Sequence, residues 1–191
     1  MSFFIASLGP VLALALAPAP APAPPEQRPP VSTEAVVRLV AGRATLVQGD
    51  EVDHLARMGR SWVARGASYL ELGPGGEVEI AWNGLASLRV TGPAALEWER
   101  KPYRGPHVRV LRLKRLEVET RRGGLRLDLG QGWTLELERA ALHAAHRFGG
   151  GIDVIHHGGT PIRVRSGAEA PWSLAPGART VLSNRVRPPG S

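Results

Sequence analysis

The chain reads as an all-β protein: one domain of short antiparallel strands arranged as a sandwich, a roll or a solenoid-like stack. Three observations predict this. Residues 70–98 alternate apolar and polar side chains, with turn residues between the runs, the period-two mark of half-buried strands. From Val36 to Ser183, glycine-centred punctuation recurs about every ten residues, as at Gly49-Asp50, Asn83-Gly84, Gly92-Pro93, Gly105-Pro106, Gly123-Gly124 and Gly158-Gly159. Cysteine is absent, so no disulfide framework or thiolate zinc site is available and an apolar core must carry stability.

Residues 1–17 form the first element. Their uncharged run from Phe3 to Ala17 would reach about 22 Å as a helix, against a hydrocarbon core of roughly 30 Å. A signal or short anchor segment is therefore expected, and export to the periplasm or envelope with it. Residues 18–33 begin with an Ala-Pro alternation and read as a stiff spacer. Residues 34–183 are the β domain, about 150 residues, enough for one core. Residues 184–191, Asn-Arg-Val-Arg-Pro-Pro-Gly-Ser, read as a mobile tail.

Within the domain, turn lengths that keep apolar residues on one face predict the pairings, since a one-residue slip sends every side chain to the other side. A two-residue Asn83-Gly84 turn would pair Val78 with Arg89. A three-residue turn Trp82-Asn83-Gly84 instead pairs Ile80 with Ala86 and Val78 with Leu88, with Gly84 in the left-handed position of a bulged turn. The same logic across Gly92-Pro93-Ala94 pairs Val90 with Leu96 and Leu88 with Trp98. Across Gly130-Gln131-Gly132 it pairs Leu127 with Leu135 and sets Arg126 opposite Glu136. Val78, Ile80, Leu88, Val90, Leu96 and Trp98 are then expected to be buried together. Trp98 and Trp133 are expected inside, and Trp82, placed in a turn, outside. The alanine-rich segment 137–148 suits helix or strand, and its neighbours favour strand.

Charge is unevenly distributed along the chain. The formal net charge is +7, and residues 100–126 hold ten Lys and Arg against Glu117 and Glu119, a net +8. Such a segment attracts anionic partners, whether lipid headgroups, acidic glycans or nucleic acid, the last unlikely to be met by an exported chain. Arg104, Arg109, Arg112, Lys114 and Arg115 are the candidate polyanion-binding residues. The competing reading is a basic edge strand kept from aggregating by its charge. The alternation slips here, from Val108 and Val110 to Leu111 and Leu113 and then to Leu116 and Val118, which predicts a bulge or break.

The runs Val63-Ala64-Arg65-Gly66, residues 72–80, Asn83-Gly84 and residues 88–98 resemble the FecR-like domain of bacterial cell-envelope proteins, with a weaker echo at residues 152–164 and 174–181. The resemblance implies a non-enzymatic, all-β module outside the inner membrane. With its apolar segment starting at Phe3 and no further domain after the β region, the chain is expected to be a free-standing envelope module rather than a complete transmembrane relay.

Nucleophile elbows, His-Glu-x-x-His and phosphate-loop motifs are absent from the sequence, and no cofactor is expected. The remaining chemistry lies in His143, His146, His156 and His157. On a helix His143 and His146 would share a face, whereas on strands both they and the adjacent His156 and His157 diverge. Three functions follow: an exported interaction or scaffold module that binds an envelope protein, a polyanion-binding protein using residues 100–126, and a small metallo-enzyme using the four histidines.

Overall fold

Strands form wherever the period-two pattern runs, and no helix occurs among the described residues. The computed structural model describes residues 34–101, 105–167 and 169–183. The leader, the spacer, the tail and Arg104 lie outside them. The first strands are β1 (Glu34–Ala41), β2 (Ala44–Gln48), β3 (Glu51–Leu55), β4 (Ser61–Arg65), β5 (Ser68–Leu72) and β6 (Glu77–Trp82). There follow β7 (Ala86–Thr91), β8 (Ala94–Lys101), β9 (Gly105–Arg112), β10 (Arg115–Thr120), β11 (Leu125–Gly130) and β12 (Trp133–Leu137). The last are β13 (Ala140–His146), β14 (Ile152–Gly159), β15 (Ile162–Ser166), β16 (Trp172–Leu174) and β17 (Arg179–Leu182). The segment 137–148 is thus strand, as its neighbours suggested.

Two sheets share these strands. The first has the order β17-β14-β13-β10-β7-β6-β1-β4 and the second β16-β15-β12-β11-β9-β8-β5-β2-β3. Both orders run from one end of the chain to the other, so each newly added strand lies beside recent ones. All pairings are antiparallel except β9 with β11. Alternate residues of both sheets turn inward onto one core, in which Val37, Leu46, Leu70, Ile80, Val90, Leu96, Val108 and Leu135 are fully buried. At about 25 cal/mol per Å² of apolar surface removed from water, this shared layer is what holds two sheets that have few backbone bonds between them.

The chain reaches both sheets by crossing between them at short connections. Gly92 shows why glycine is needed at one of these. Its N–H donates to Gly76 O at 2.7 Å, and a Cβ built on it would overlap the Gly73 carbonyl. The Gly92-Pro93 bond is cis. After it, β8 joins the second sheet rather than pairing with β7. This corrects the expected hairpin: Val90 and Leu96 are both buried, but in opposite sheets. A second crossing falls at Leu113 and Lys114, between β9 and β10, where the alternation was seen to slip, and a bulge lies in β8–β9 beside Leu96.

The Asn83-Gly84 turn also differs from expectation. Ile80 pairs with Leu88 and Val78 with Val90, while Trp82 pairs with Ala86, so the turn residues are Asn83, Gly84 and Leu85, with Gly84 at φ 68°. Trp82 therefore belongs to the strand and is buried, its ring edge-on to Trp98 at 6.2 Å. Leu127 with Leu135 and Arg126 with Glu136 pair as expected, on a turn in which Gly130, Gln131 and Gly132 all have positive φ.

Candidate functional site

The basic segment is not an edge. β9 lies between β8 and β11, and β10 between β7 and β13. Outward positions of these interior strands face outward positions of their neighbours, and those neighbours carry acids. Arg109 reaches Glu97 at 3.5 Å and Arg112 reaches Glu71 at 2.8 Å, while Arg115 reaches Glu117 of its own strand at 2.7 Å. The five candidate residues are also separated by the fold. Arg109 and Arg112 lie on the outer face of the second sheet and Arg115 on that of the first. Lys114 is exposed at the crossing between them, and Arg104 falls outside the described residues.

Pairing of this kind extends over both outer faces. On the first sheet, Arg38, Glu79, Arg89, Glu117 and His143 occupy one row across five neighbouring strands, with ion pairs Arg38–Glu79 and Arg89–Glu77. Arg179 hydrogen-bonds Asp153 and thereby holds the Asp153 carboxyl below the usual carboxylate range. On the second sheet, Glu136 is shared by Arg165 at 3.1 Å and Arg163 at 3.8 Å. Arg126 stands opposite Glu136 in the ladder, as predicted from sequence, yet these two arginines are the ion-pair partners. Opposite charges in adjacent strands each contribute roughly 0.2–1 kcal/mol, and together they offset most of the charge on the faces.

The histidines divide as strand geometry requires. His156 points inward and is fully buried, its Nδ1 3.1 Å from Leu174 O and its Nε2 3.0 Å from Gly158 O. It ties β14 to the closing turn, where its backbone also bonds Ala178 and Gly177. His157 points outward and stacks on His143, ring centroids 6.5 Å apart. Burial, followed by the charge of Arg115, pushes the His143 imidazole pKa down. His146 is exposed at the end of β13. The four histidines do not converge, and no group of three or more His, Asp or Glu among the described residues is placed to hold a metal.

One depression sets Arg109 among groups that sequence reading did not join to it. It encloses about 370 Å³ on the outer face of the second sheet, lined by Val47, Tyr69, Glu97, His107 and Arg109. Burial, with the charge and hydrogen bond of Glu71, raises the Tyr69 pKa above its ordinary value. His107 Nδ1 lies 3.4 Å from Glu99, and its Nε2 is buried without a partner. A phenol ring beside donors and acceptors of both kinds suits a polar ligand held by hydrogen bonds more than by net charge. Each residue sits at an outward strand position. What sequence reading lacked was the adjacency of β5, β8 and β9, which brings Tyr69, Glu97 and Arg109 into one row.

Comparison with protein-family models, with curated proteins and with solved structures finds no match to this chain.

Proposed function

We propose that the chain is an exported, non-enzymatic interaction or scaffold module of the cell envelope, FecR-like in kind, carried outward by the leader 1–17 and held off by the spacer 18–33. The observation that supports this reading is the state of the two outer faces. Many of their charged groups are matched, across strands by Arg109–Glu97, Arg112–Glu71 and Arg179–Asp153 and along β10 by Arg115–Glu117, and the described residues present two charge-paired sheet faces rather than a convergent catalytic constellation. The residues that most resemble FecR-like domains fall on consecutive strands, β4 to β8, shared between the two sheets.

The test is export. Residues 1–33 fused to alkaline phosphatase, which is active only outside the cytoplasm, should give an active fusion, and the full chain should fractionate with the periplasm or envelope. An inactive fusion together with cytosolic full-length protein would overturn the proposal. The polyanion reading, as drawn from residues 104–115, fits the fold less well, since it needs one surface and the described members of that set occupy two faces and a rim.

A further inference from the structure

The direction of the strands places the connections on two rims. Neighbours in each sheet are antiparallel except β9 with β11, so odd-numbered strands run one way and even-numbered strands the other. Every connection from an odd to the next even strand therefore lies on one rim. Contacts between such connections agree: Gly59 N–H donates to Leu39 O, Gly92 N–H to Gly76 O, and His146 N–H to Lys114 O. Pro93, Lys114, Gln131 and His146 line a single depression there.

That rim has a composition unlike either face. Its connections carry Arg43, Arg57, Arg60, Lys114 and Arg147, all exposed, and the only acid in their described residues is Glu169. None of these five cations has a carboxylate within ion-pair distance among the described residues, whereas most arginines of the faces, Arg126 apart, are paired. Between them stand large apolar side chains in water: Phe148, fully exposed, Met58 at 71% and, beside the β9–β10 crossing, Leu111 at 51%. Isolated exposed apolar residues are ordinary; these three stand at separate connections along the rim, each within three residues of an unpaired cation, Met58 by Arg57, Leu111 by Lys114 and Phe148 by Arg147. The described connections of the opposite rim hold Arg121, Arg122 and Arg139 against Asp50 and Glu138, and one exposed apolar side chain, Val52, stands beside the β2–β3 turn there.

We propose that this rim docks on an anionic lipid bilayer, with Phe148, Met58 and Leu111 entering the headgroup region and Arg43, Arg57, Arg60, Lys114 and Arg147 meeting the lipid phosphates. The unpaired cations supply the attraction to anionic headgroups. The apolar tips select a bilayer over a soluble polyanion, which offers charge but no apolar layer. The partner class matches the one suggested by residues 100–126, but the residues are different, and docking does not depend on whether the chain is exported.

Because the chain contains no cysteine, a single introduced thiol reports one position. Full-length Phe148→Cys carrying a solvatochromic dye should shift to the blue with phosphatidylcholine–phosphatidylglycerol vesicles and stay unshifted with phosphatidylcholine alone. The same dye at Asn83→Cys, on the opposite rim, should not shift, which separates docking from mere tethering by the leader. Adding Arg57→Gln, Lys114→Gln and Arg147→Gln should weaken the Phe148 response roughly tenfold or more. No shift at Phe148→Cys, equal shifts at both positions, or a response indifferent to the three substitutions would overturn the proposal. Binding to heparin with no lipid-induced shift would do the same, in favour of a soluble polyanion.

Discussion

Leu88 offers the sharpest test of the core. It is 1% exposed on β7, between Ile80 of β6 and Val118 of β10 in its own sheet, with the second sheet covering its inward side. Leu88→Ala removes three carbons, and at about 0.8 kcal/mol for each buried methylene the transfer loss is about 2.4 kcal/mol. Flanked by strands on both sides, the site has little freedom to collapse, and an unfilled cavity of about 50 Å³ at about 24 cal/mol per Å³ adds about 1.2 kcal/mol. The expected cost is about 3–4 kcal/mol. For a domain of this size, with a urea m-value of about 2 kcal/mol per M, the unfolding midpoint should fall by about 1.5–2 M at unchanged m. Its chain neighbour Ser87 faces outward, so Ser87→Ala should change stability by less than about half a kcal/mol. If Leu88→Ala costs less than about 1 kcal/mol, or Ser87→Ala costs as much as it does, the assigned face of β7 is wrong.

Four further outcomes are expected. Gly92→Ala, whose Cβ would strike the Gly73 carbonyl, should destabilise by more than about 2 kcal/mol, whereas Gly84→Ala, strained in φ but with open space around it, should cost only about 1 kcal/mol; equal urea midpoints for the two would refute the close approach. His156→Leu removes the one imidazole N–H that donates to the Leu174 or the Gly158 carbonyl and should cost about 1–3 kcal/mol, with hydrogen exchange accelerated first at residues 174–182. Since the folded Asp153 carboxyl is held below its unfolded value of about 3.9, its contribution is present above that pH and lost as pH falls through the folded value. Asp153→Asn should therefore be less stable than the parent at pH 7 and converge on it in acid. His143 is shifted down, so the unfolded chain binds its proton more readily and stability should decline as pH falls below about 6.5; in urea titrations across pH 5–8, His143→Gln should flatten that slope.

Alternation along the chain made the buried face legible but left the ladder ambiguous. Moving the β6–β7 pairing by two residues keeps Val78, Ile80, Leu88 and Val90 all inward, so the expected register and the observed one satisfy the apolar pattern equally. Trp82 distinguishes them. As a strand residue opposite Ala86 it gains a buried place against Trp98, a gain invisible without knowing that β8 faces β6 across the core. Gly92-Pro93 misled for a related reason: a hairpin and a crossing both return apolar residues to the same core, and parity cannot tell which sheet receives them. The Gly130-Gln131-Gly132 turn was readable because its strands stay in one sheet and its two glycines mark which three residues make the turn.

Charge was harder to read than hydrophobicity, and the fold shows why. The acid that neutralises Arg112 is Glu71, 41 residues earlier, and for Arg179 it is Asp153, 26 residues earlier. Residues 100–126 form the most basic stretch of the sequence, yet any stretch of that length in this topology visits both rims and both faces. Its charge is dispersed as it folds. The cations left unpaired on one rim come instead from connections far apart in sequence, at 43, 57, 60, 114 and 147, each separated from the next such connection by strands that leave the rim and return. In a chain that crosses repeatedly between two sheets, contiguity on the surface follows alternate connections, and a basic patch has to be counted that way before it is given a partner.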